Sequence, residues 1–141
     1  MREILFRGKT LDGGTWIRGY FVEMEGLPCI FVNGGAVRVV PETVGQFTGL
    51  RDRNGLEIFE GDIVMRDCGG YSVSCGVTFK DGCFGLMTSY AWTSLDGETG
   101  VDEVYHAFYD NDREEAFDSK RRLEVVGNIY DVPELLEDNL L

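Results

Sequence analysis

The segment GLRDRNGLEIFEGDIV, residues 49–64, joins a cluster of charges and glycines to an alternating strand pattern. Its Asn54-Gly55 pair is typical of a tight turn, because asparagine and glycine both accept positive φ angles. At Gly61-Asp62 the glycine permits a sharp bend, and the short carboxylate can accept a nearby main-chain hydrogen bond. The segment therefore predicts a turn, a strand, a bend and a second strand, with Asn54, Gly55, Gly61 and Asp62 as its structural signature.

The residues before this segment predict two β-hairpins. Residues 3–7 and 15–24 are rich in apolar and aromatic side chains and flank an Asp-Gly-Gly turn, and residues 28–32 and 36–40 flank an Asn-Gly-Gly turn. Both turns supply residues that tolerate left-handed backbone conformations. We predict an amino-terminal antiparallel hairpin unit over residues 1–48.

The residues after the segment predict further short strands. Residues 71–80 and 83–92 flank Asp81-Gly82, a hairpin signal. Residues 101–117 place apolar side chains at helical spacing, although Val104, Phe108 and Tyr109 would also suit a strand and turn; we predict a loop with a short helix there. Residues 123–131 are typical of a closing strand, with a bulge or bend at Gly127.

The end of the chain predicts a short helix, because Pro133 and Glu134 suit a first helical turn. Nineteen glycines and only three prolines in 141 residues indicate many tight turns and short strands. The predicted fold class is mainly β. Residues 49–141 are predicted to form a small β-barrel with an acidic insertion and this terminal helix.

Charge is distributed unevenly along the chain. Residues 1–56 hold seven Lys and Arg against six Asp and Glu, whereas residues 57–141 hold six against nineteen. Such an acidic second half repels phosphate backbones, so direct binding to DNA or RNA is disfavoured. The run at residues 110–115 is the densest part, and its carboxylates form a candidate partner surface: Asp110, Asp112, Glu114 and Glu115.

The sequence contains no recognisable catalytic or metal-binding motif. His106 is the only histidine, which excludes a three-histidine metal site, and we interpret it as exposed polar surface. The acidic run lacks the glycine and the terminal glutamate of an EF-hand loop, and no phosphate loop or serine elbow occurs. The four cysteines contain no CxxC pair and are interpreted as reduced packing residues. The sequence therefore predicts no catalytic residue, no metal site and no cofactor.

Three parts of the chain resemble the YopX family of phage and prophage proteins. They are REILFRGK with GTWIRGYF (residues 2–9 and 14–21), VVPETVGQFTGLRDRNGLEIFEGDIV (39–64) and LEVVGNIYDVPELL (123–136). Residues 65–122 carry no matching motif. The resemblance implies a β-rich protein whose carboxy-terminal part is similar to an SH3-type barrel. It supplies no established activity and no catalytic residues.

These observations lead us to expect a non-enzymatic phage or prophage accessory protein that binds another protein. The amino terminus has no signal peptide or membrane-spanning run, so we expect it in the cytoplasm of the bacterial host. Two alternatives stay open: an acidic nucleic-acid mimic that inhibits a host enzyme, and an enzyme acting on a small nucleotide-like metabolite. Self-association into a homo-oligomer is also open, because strand edges are often covered by pairing with a neighbour.

Overall fold

The computed structural model describes residues 4–110, 115–116 and 119–140. The chain divides into two compact units, Met1–Gly49 and Leu50–Leu141. The sequence-based boundary was placed between residues 48 and 49. Each unit is built mainly from antiparallel strands, which confirms the predicted mainly β class.

The first unit is one antiparallel sheet. Its strands are β1 (Phe6–Lys9), β2 (Trp16–Met24), β3 (Leu27–Val32), β4 (Gly35–Arg38) and β5 (Gly45–Arg51), in the spatial order β4-β3-β2-β1-β5. A 3-10 helix (Pro41–Thr43) joins β4 to β5, and β5 runs through the boundary into the second unit. The pairing of β1 with β2 and of β3 with β4 confirms both predicted hairpins. In the second turn Asn33 and Gly34 have φ angles of 51° and 81°, conformations that these two residue types accept most readily.

The second unit holds the remaining strands and helical segments. In chain order these are β6 (Glu57–Phe59), β7 (Asp62–Asp67), β8 (Ser72–Lys80), β9 (Cys83–Thr93), β10 (Thr99–Ala107), β11 (Tyr109–Asp110), β12 (Glu115–Ala116), α1 (Ser119–Arg122), β13 (Leu123–Asn128) and a 3-10 helix (Pro133–Leu140). Five of the strands form an antiparallel sheet in the order β10-β9-β8-β7-β13, and β11 pairs with β12.

The core of the second unit lies on one face of this five-stranded sheet. Alternate residues of neighbouring strands point to that face, and they pack as a cluster with Ile58 of β6: Val64, Cys75, Val77, Phe84, Leu86, Phe108 and Leu123. The terminal 3-10 helix contacts the opposite face, where the Ser74 hydroxyl donates to the Leu135 carbonyl at 2.7 Å. Both faces of the sheet are therefore covered over part of their length.

One predicted element is wrong. Residues 99–107 form β10, where a loop and short helix were predicted, because nine consecutive residues pair with β9. Cross-strand pairing supplies a hydrogen-bonded partner that outweighs the helical spacing of Val101, Val104 and Phe108. The bulge is confirmed, since the register between β13 and β7 shifts between Val125 and Gly127.

Two finer predictions are not confirmed. The five-stranded order is open at both edges, so among the described residues the sheet is not a closed barrel. The terminal segment is a 3-10 helix and not an α-helix. No helix within the described ranges is both long and apolar enough to cross a membrane.

Candidate functional site

The corner at residues 52–56 is organised around a buried carboxylate. Asp52 is 2% exposed, and its Oδ1 accepts hydrogen bonds from the main-chain N–H groups of Asn54 and Leu56, each at 2.9 Å. Its Oδ2 accepts from the N–H of Val125 on β13 at 2.8 Å. Gly55, with φ of 81°, closes the turn. Asp52 therefore holds the turn and also ties it to a strand that is distant in sequence.

The Gly61-Asp62 bend is also held by a buried carboxylate and by main-chain hydrogen bonds. Gly61 has φ of 92°, and its main-chain N–H donates to the Val77 carbonyl at 2.9 Å. A Cβ at this position would lie 3.0 Å from the Tyr130 ring. Asp62 is 1% exposed, and its Oδ2 accepts from the N–H of Phe59 at 2.7 Å. The four signature residues thus lie in the turn at residues 52–56 and the bend at residues 61–62, which we together call the corner. Its two buried carboxylates, Asp52 and Asp62, accept hydrogen bonds from the main chain.

A pocket of about 290 Å³ opens beside the core of the second unit. Eight residues line it and define what we call the arginine pocket: Arg66, Cys68, Tyr71, Val73, Thr88, Tyr90, His106 and Arg122. Two are arginines, two are tyrosines and one is the single histidine. None of these eight side chains is a carboxylate, although the sequence of this unit is strongly acidic.

The strand register explains why these residues meet. Arg66 on β7 lies opposite Val73 on β8 and Leu123 on β13, and it is two residues from the buried Val64. Residues two apart on a strand share a face, so Arg66 continues the core face of the sheet toward solvent. His106 reaches the same face from β10, where it is paired with the buried Leu86. The arginine pocket is therefore the polar end of the core face.

The charge state of the pocket follows from its geometry. Partial desolvation, together with the positive charge of Arg66, lowers the pKa of His106 from its ordinary 6.5. The ring is therefore neutral at pH 7, and Arg66 and Arg122 carry the positive charge. Deeper in, the Cys75 thiol lies 3.1 Å from the Thr88 hydroxyl, and burial raises the pKa of that thiol. The pocket suits an anion that is met by guanidinium groups and by hydrogen-bond donors.

A ribbon formed by β9 and β10 extends the pocket. Its cross-strand pairs include Thr88 with Val104, Tyr90 with Asp102 and Trp92 with Gly100. Paired residues share a face, so these pairs continue the face that carries Thr88 and Tyr90 in the pocket. The Trp92 indole lies across Gly100, where a Cβ would collide with it. The arginine pocket therefore leads onto an exposed surface with aromatic and apolar side chains.

The structure describes only part of the candidate partner surface. Asp112 and Glu114 lie outside the described residues. The backbones of Asp110 and Glu115 pair directly across β11 and β12. Among the described residues, no group of three or more His, Cys, Asp or Glu side chains is placed to hold a metal ion.

The arginine pocket was not among the features predicted from the sequence. His106 was interpreted as exposed polar surface; it is exposed, and it also lines the pocket. One local signal was present. Arg66 occupies a position in phase with the apolar Ile-Val run of β7, where strand periodicity places a side chain on the core face. A charged residue at such a position is a reason to expect a polar site nearby.

Comparison with known proteins identifies a family and a fold. The family described as YopX protein matches residues 30–137 of the chain. A similar solved structure, the crystal structure of protein EF1440 from Enterococcus faecalis, has a TM-score of 0.52 at 18% identity. That match covers 97% of this chain and all of that one, and at this identity it shows the fold alone. A search of curated proteins gave no match. The family match spans most of the chain and confirms the resemblance in its motifs: the chain belongs to the YopX family.

Proposed function

We propose that this chain is a non-enzymatic phage or prophage accessory protein that binds another protein in the cytoplasm of the bacterial host. In this proposal the arginine pocket receives an anionic group on an acidic segment of the partner. The ribbon beside the pocket receives the apolar residues that follow in that segment. The phage setting rests on what membership of the YopX family implies.

The observation that carries the proposal is that the arginine pocket is lined by positive and neutral side chains, whereas the unit that contains it is acidic. Residues 50–141 contain eight Lys and Arg against twenty Asp and Glu. Two of those eight, Arg66 and Arg122, line one pocket whose eight residues include no carboxylate. Their convergence places two positively charged residues together in a unit whose sequence is acidic overall. Such a grouping of positive charge favours an anionic ligand.

The surroundings favour a chain segment as the ligand. Tyr90 at the pocket and Trp92 further along the ribbon face are 39% and 41% exposed, and Val104 on the same face is 36% exposed. Exposed aromatic side chains next to a charged pocket are typical anchors for a partner protein. Asp102 lies on the same face, opposite Tyr90. A matching segment therefore has its acidic group in the pocket and neutral apolar residues along the ribbon.

The fold supports this use of the second unit. We propose that its five antiparallel strands are an SH3-like module, with the β9–β10 ribbon as a projecting arm. Small strand modules of this kind commonly bind extended peptides on one exposed face. The covered opposite face, with its Ser74 to Leu135 hydrogen bond, gives the arm a fixed base.

Affinity capture from a host lysate tests the proposal when it is done with matched variants. We expect the wild-type protein and Arg53→Gln to retain the same stoichiometric partner, because Arg53 is exposed and does not line the pocket. We expect Arg122→Gln to lose it, because that change removes one of the two pocket charges. Retention of the partner by Arg122→Gln, or turnover of a substrate without any partner, would contradict the proposal.

A second candidate function has one supporting observation. Cys68 and His106 line the same pocket, so a thiol and an imidazole border one cavity, a pair of groups that can supply a nucleophile and its base in an enzyme acting on a small metabolite. An assay of nucleoside phosphate turnover with wild type and Cys68→Ser tests it. Turnover that disappears in Cys68→Ser would favour the enzyme. The acidic-mimic alternative depends on the side chains of residues 110–115, which lie outside the part of the chain that the structure describes.

A further inference from the structure

The two edges of the five-stranded sheet differ in what covers them. At the β13 edge the Arg53 N–H donates to the Leu123 carbonyl at 2.9 Å, and the Val125 N–H donates to Asp52 Oδ2 at 2.8 Å. The turn at residues 52–56 therefore caps the outer side of β13. The β10 edge is nine residues long, and among the described residues β9 is the one strand that pairs with it. A long uncapped edge strand is a template for pairing with another strand.

The hydrogen bonds at the two ends of the β9–β10 ribbon show which main-chain groups of β10 point outward. The Ser94 N–H donates to the Glu98 carbonyl at 2.7 Å. The Phe108 N–H donates to the Phe84 carbonyl at 2.9 Å. The register between these ends has no shift, so even-numbered residues of β10 bond to β9 and odd-numbered residues point away from it. Within the described ranges no main-chain group bonds to the outward side of four residues: Val101, Glu103, Tyr105 and Ala107.

We propose that the outer edge of β10 binds the same edge of a second copy of the chain, with the two strands antiparallel and a two-fold axis at Val104. In this arrangement Val101 lies opposite Ala107 of the second copy, and Glu103 lies opposite its Tyr105. Each such pair exchanges two main-chain hydrogen bonds, so the outward groups of both copies gain partners. The two sheets become one continuous sheet through an isologous contact. The proposal is independent of the arginine pocket and of the partner proposed for it.

Charged side chains select this register. If one strand moves by two residues so that Glu103 is on the axis, Glu103 faces its own copy, and like charges directly opposite are destabilising. With Val104 on the axis, Asp102 lies opposite His106 of the second copy in a non-hydrogen-bonded pair, where side chains approach closely. The exposed His106 ring is neutral at pH 7, and its N–H can donate to that carboxylate. A move of two residues the other way places Tyr105 on the axis and separates Asp102 from His106.

Other side chains at this edge also fit a second copy. Val101 and Val104 are 58% and 36% exposed. In the proposed register each gains an apolar neighbour, because Val104 lies opposite its own copy and Val101 lies opposite an alanine. Glu103 faces a partner position that carries positive charge, since the Lys80 ammonium lies 5.7 Å from the centroid of the Tyr105 ring. The edge is therefore complementary to itself in charge as well as in main-chain hydrogen bonds.

Sedimentation equilibrium of the full chain, with two substitutions at one outward residue, tests the proposal. We expect the wild type to dimerise reversibly. Glu103→Pro removes an outward N–H and no hydrogen bond to β9, and proline is tolerated at such edge positions. Each copy loses one hydrogen bond across the axis, so dimerisation should weaken about tenfold or more. Glu103→Ala keeps the N–H and is the matched control, which should stay within about threefold of wild type.

Cysteine cross-linking tests the register without relying on the proline variant. Val104→Cys places two thiols opposite each other across the axis, within reach of a disulfide, so mild oxidation should give a covalent dimer. Val101→Cys is the matched control. Because residue 101 pairs with residue 107, its two copies lie six residues or about 20 Å apart and should not cross-link. Peptide mass spectrometry distinguishes a bond between two residues 104 from bonds of the four native cysteines.

Three results would overturn the proposal. A wild-type protein that stays monomeric at about 1 mM would leave the edge to a strand of another protein. Equal dimerisation by wild type and by Glu103→Pro would place the interface elsewhere, provided that the two proteins melt within a few degrees of each other. A dimer of Val104→Cys that forms no bond between the two residues 104 would exclude the proposed register.

Discussion

Two sets of charged groups in the second unit differ in what surrounds them. At the corner, Asp52 and Asp62 are almost completely buried and accept hydrogen bonds from main-chain N–H groups. In the arginine pocket, Arg66, His106 and Arg122 border a cavity that opens to solvent. The first set stabilises the chain's own backbone, whereas the second set faces space that a ligand can occupy. The difference separates residues that specify the fold from residues that are placed to bind.

Removing a corner carboxylate should have the largest effect on stability. In Asp52→Ala the N–H groups of Asn54, Leu56 and Val125 lose their acceptor while remaining in place. We expect the free energy of unfolding to fall by about 3 kcal/mol or more, since each bond to a charged group contributes roughly 1.5–3 kcal/mol. Urea denaturation measures the loss. Asp52→Asn, which keeps one acceptor oxygen, should lose clearly less, and equal losses would argue against the carboxylate as the organiser of the turn.

Substitution of the two corner glycines, Gly61 and Gly55, should give the next largest losses of stability. Gly61→Val combines a φ of 92° with contact against Tyr130, and we expect it to cost about 2–4 kcal/mol. Gly55→Val meets open space and has only its φ of 81° against it, so about 1–2 kcal/mol is expected. Gly35→Val, which lies in open space outside the left-handed region, is the matched control. Equal melting temperatures for all three would refute the backbone explanation.

A pocket substitution should separate binding from stability. Arg122 is exposed, so Arg122→Gln should change the free energy of unfolding by no more than about 0.5 kcal/mol. The same variant should bind hexaglutamate at least about fivefold more weakly, because one of two guanidinium groups is lost. Calorimetric titration and urea denaturation together measure both quantities. A large loss of stability with unchanged binding would place Arg122 with the fold-specifying residues.

The smallest effect concerns the protonation of His106. Its pKa is lowered in the folded protein by desolvation and by Arg66, so protonation favours the unfolded chain. The stabilisation from the neutral ring is therefore present above pH 6.5 and is lost as the pH falls through the lowered folded-state pKa. Because His106 is the only histidine, one imidazole NMR signal reports its titration. Arg66→Gln should move the midpoint upward, and an unchanged midpoint would show that Arg66 does not act on the ring.

The corner could be predicted from sequence because its chemistry is local. Asn54-Gly55 and Gly61-Asp62 act through their own φ angles and through main-chain groups a few residues away. The bond from Asp52 to Val125 could not be foreseen, since no local pattern brings residues so distant in sequence together. The same limit concealed the pocket, because Arg66, His106 and Arg122 meet only after the strands have paired.

The β10 strand could not be predicted from the sequence for a different reason. Its apolar residues have helical spacing, but its conformation depends on β9, which offers a complete set of pairing partners. Long-range pairing then determines the strand, as it commonly does where local preference is weak. The ribbon that carries Trp92 and Tyr90 beside the pocket exists only because of that pairing.

An amide-resolved NMR titration of the wild-type protein with acetylated hexaglutamate shows whether the arginine pocket binds acidic segments. We predict saturable shifts at Arg66, Tyr90, His106 and Arg122, together with a raised pKa of His106, since a bound anion stabilises the charged imidazole. Arg122→Gln should weaken the response and Arg53→Gln should not. Shifts confined to Arg18, Tyr20 and Phe31 in the first unit, with the pocket signals unmoved, would show that the arginine pocket does not bind acidic segments.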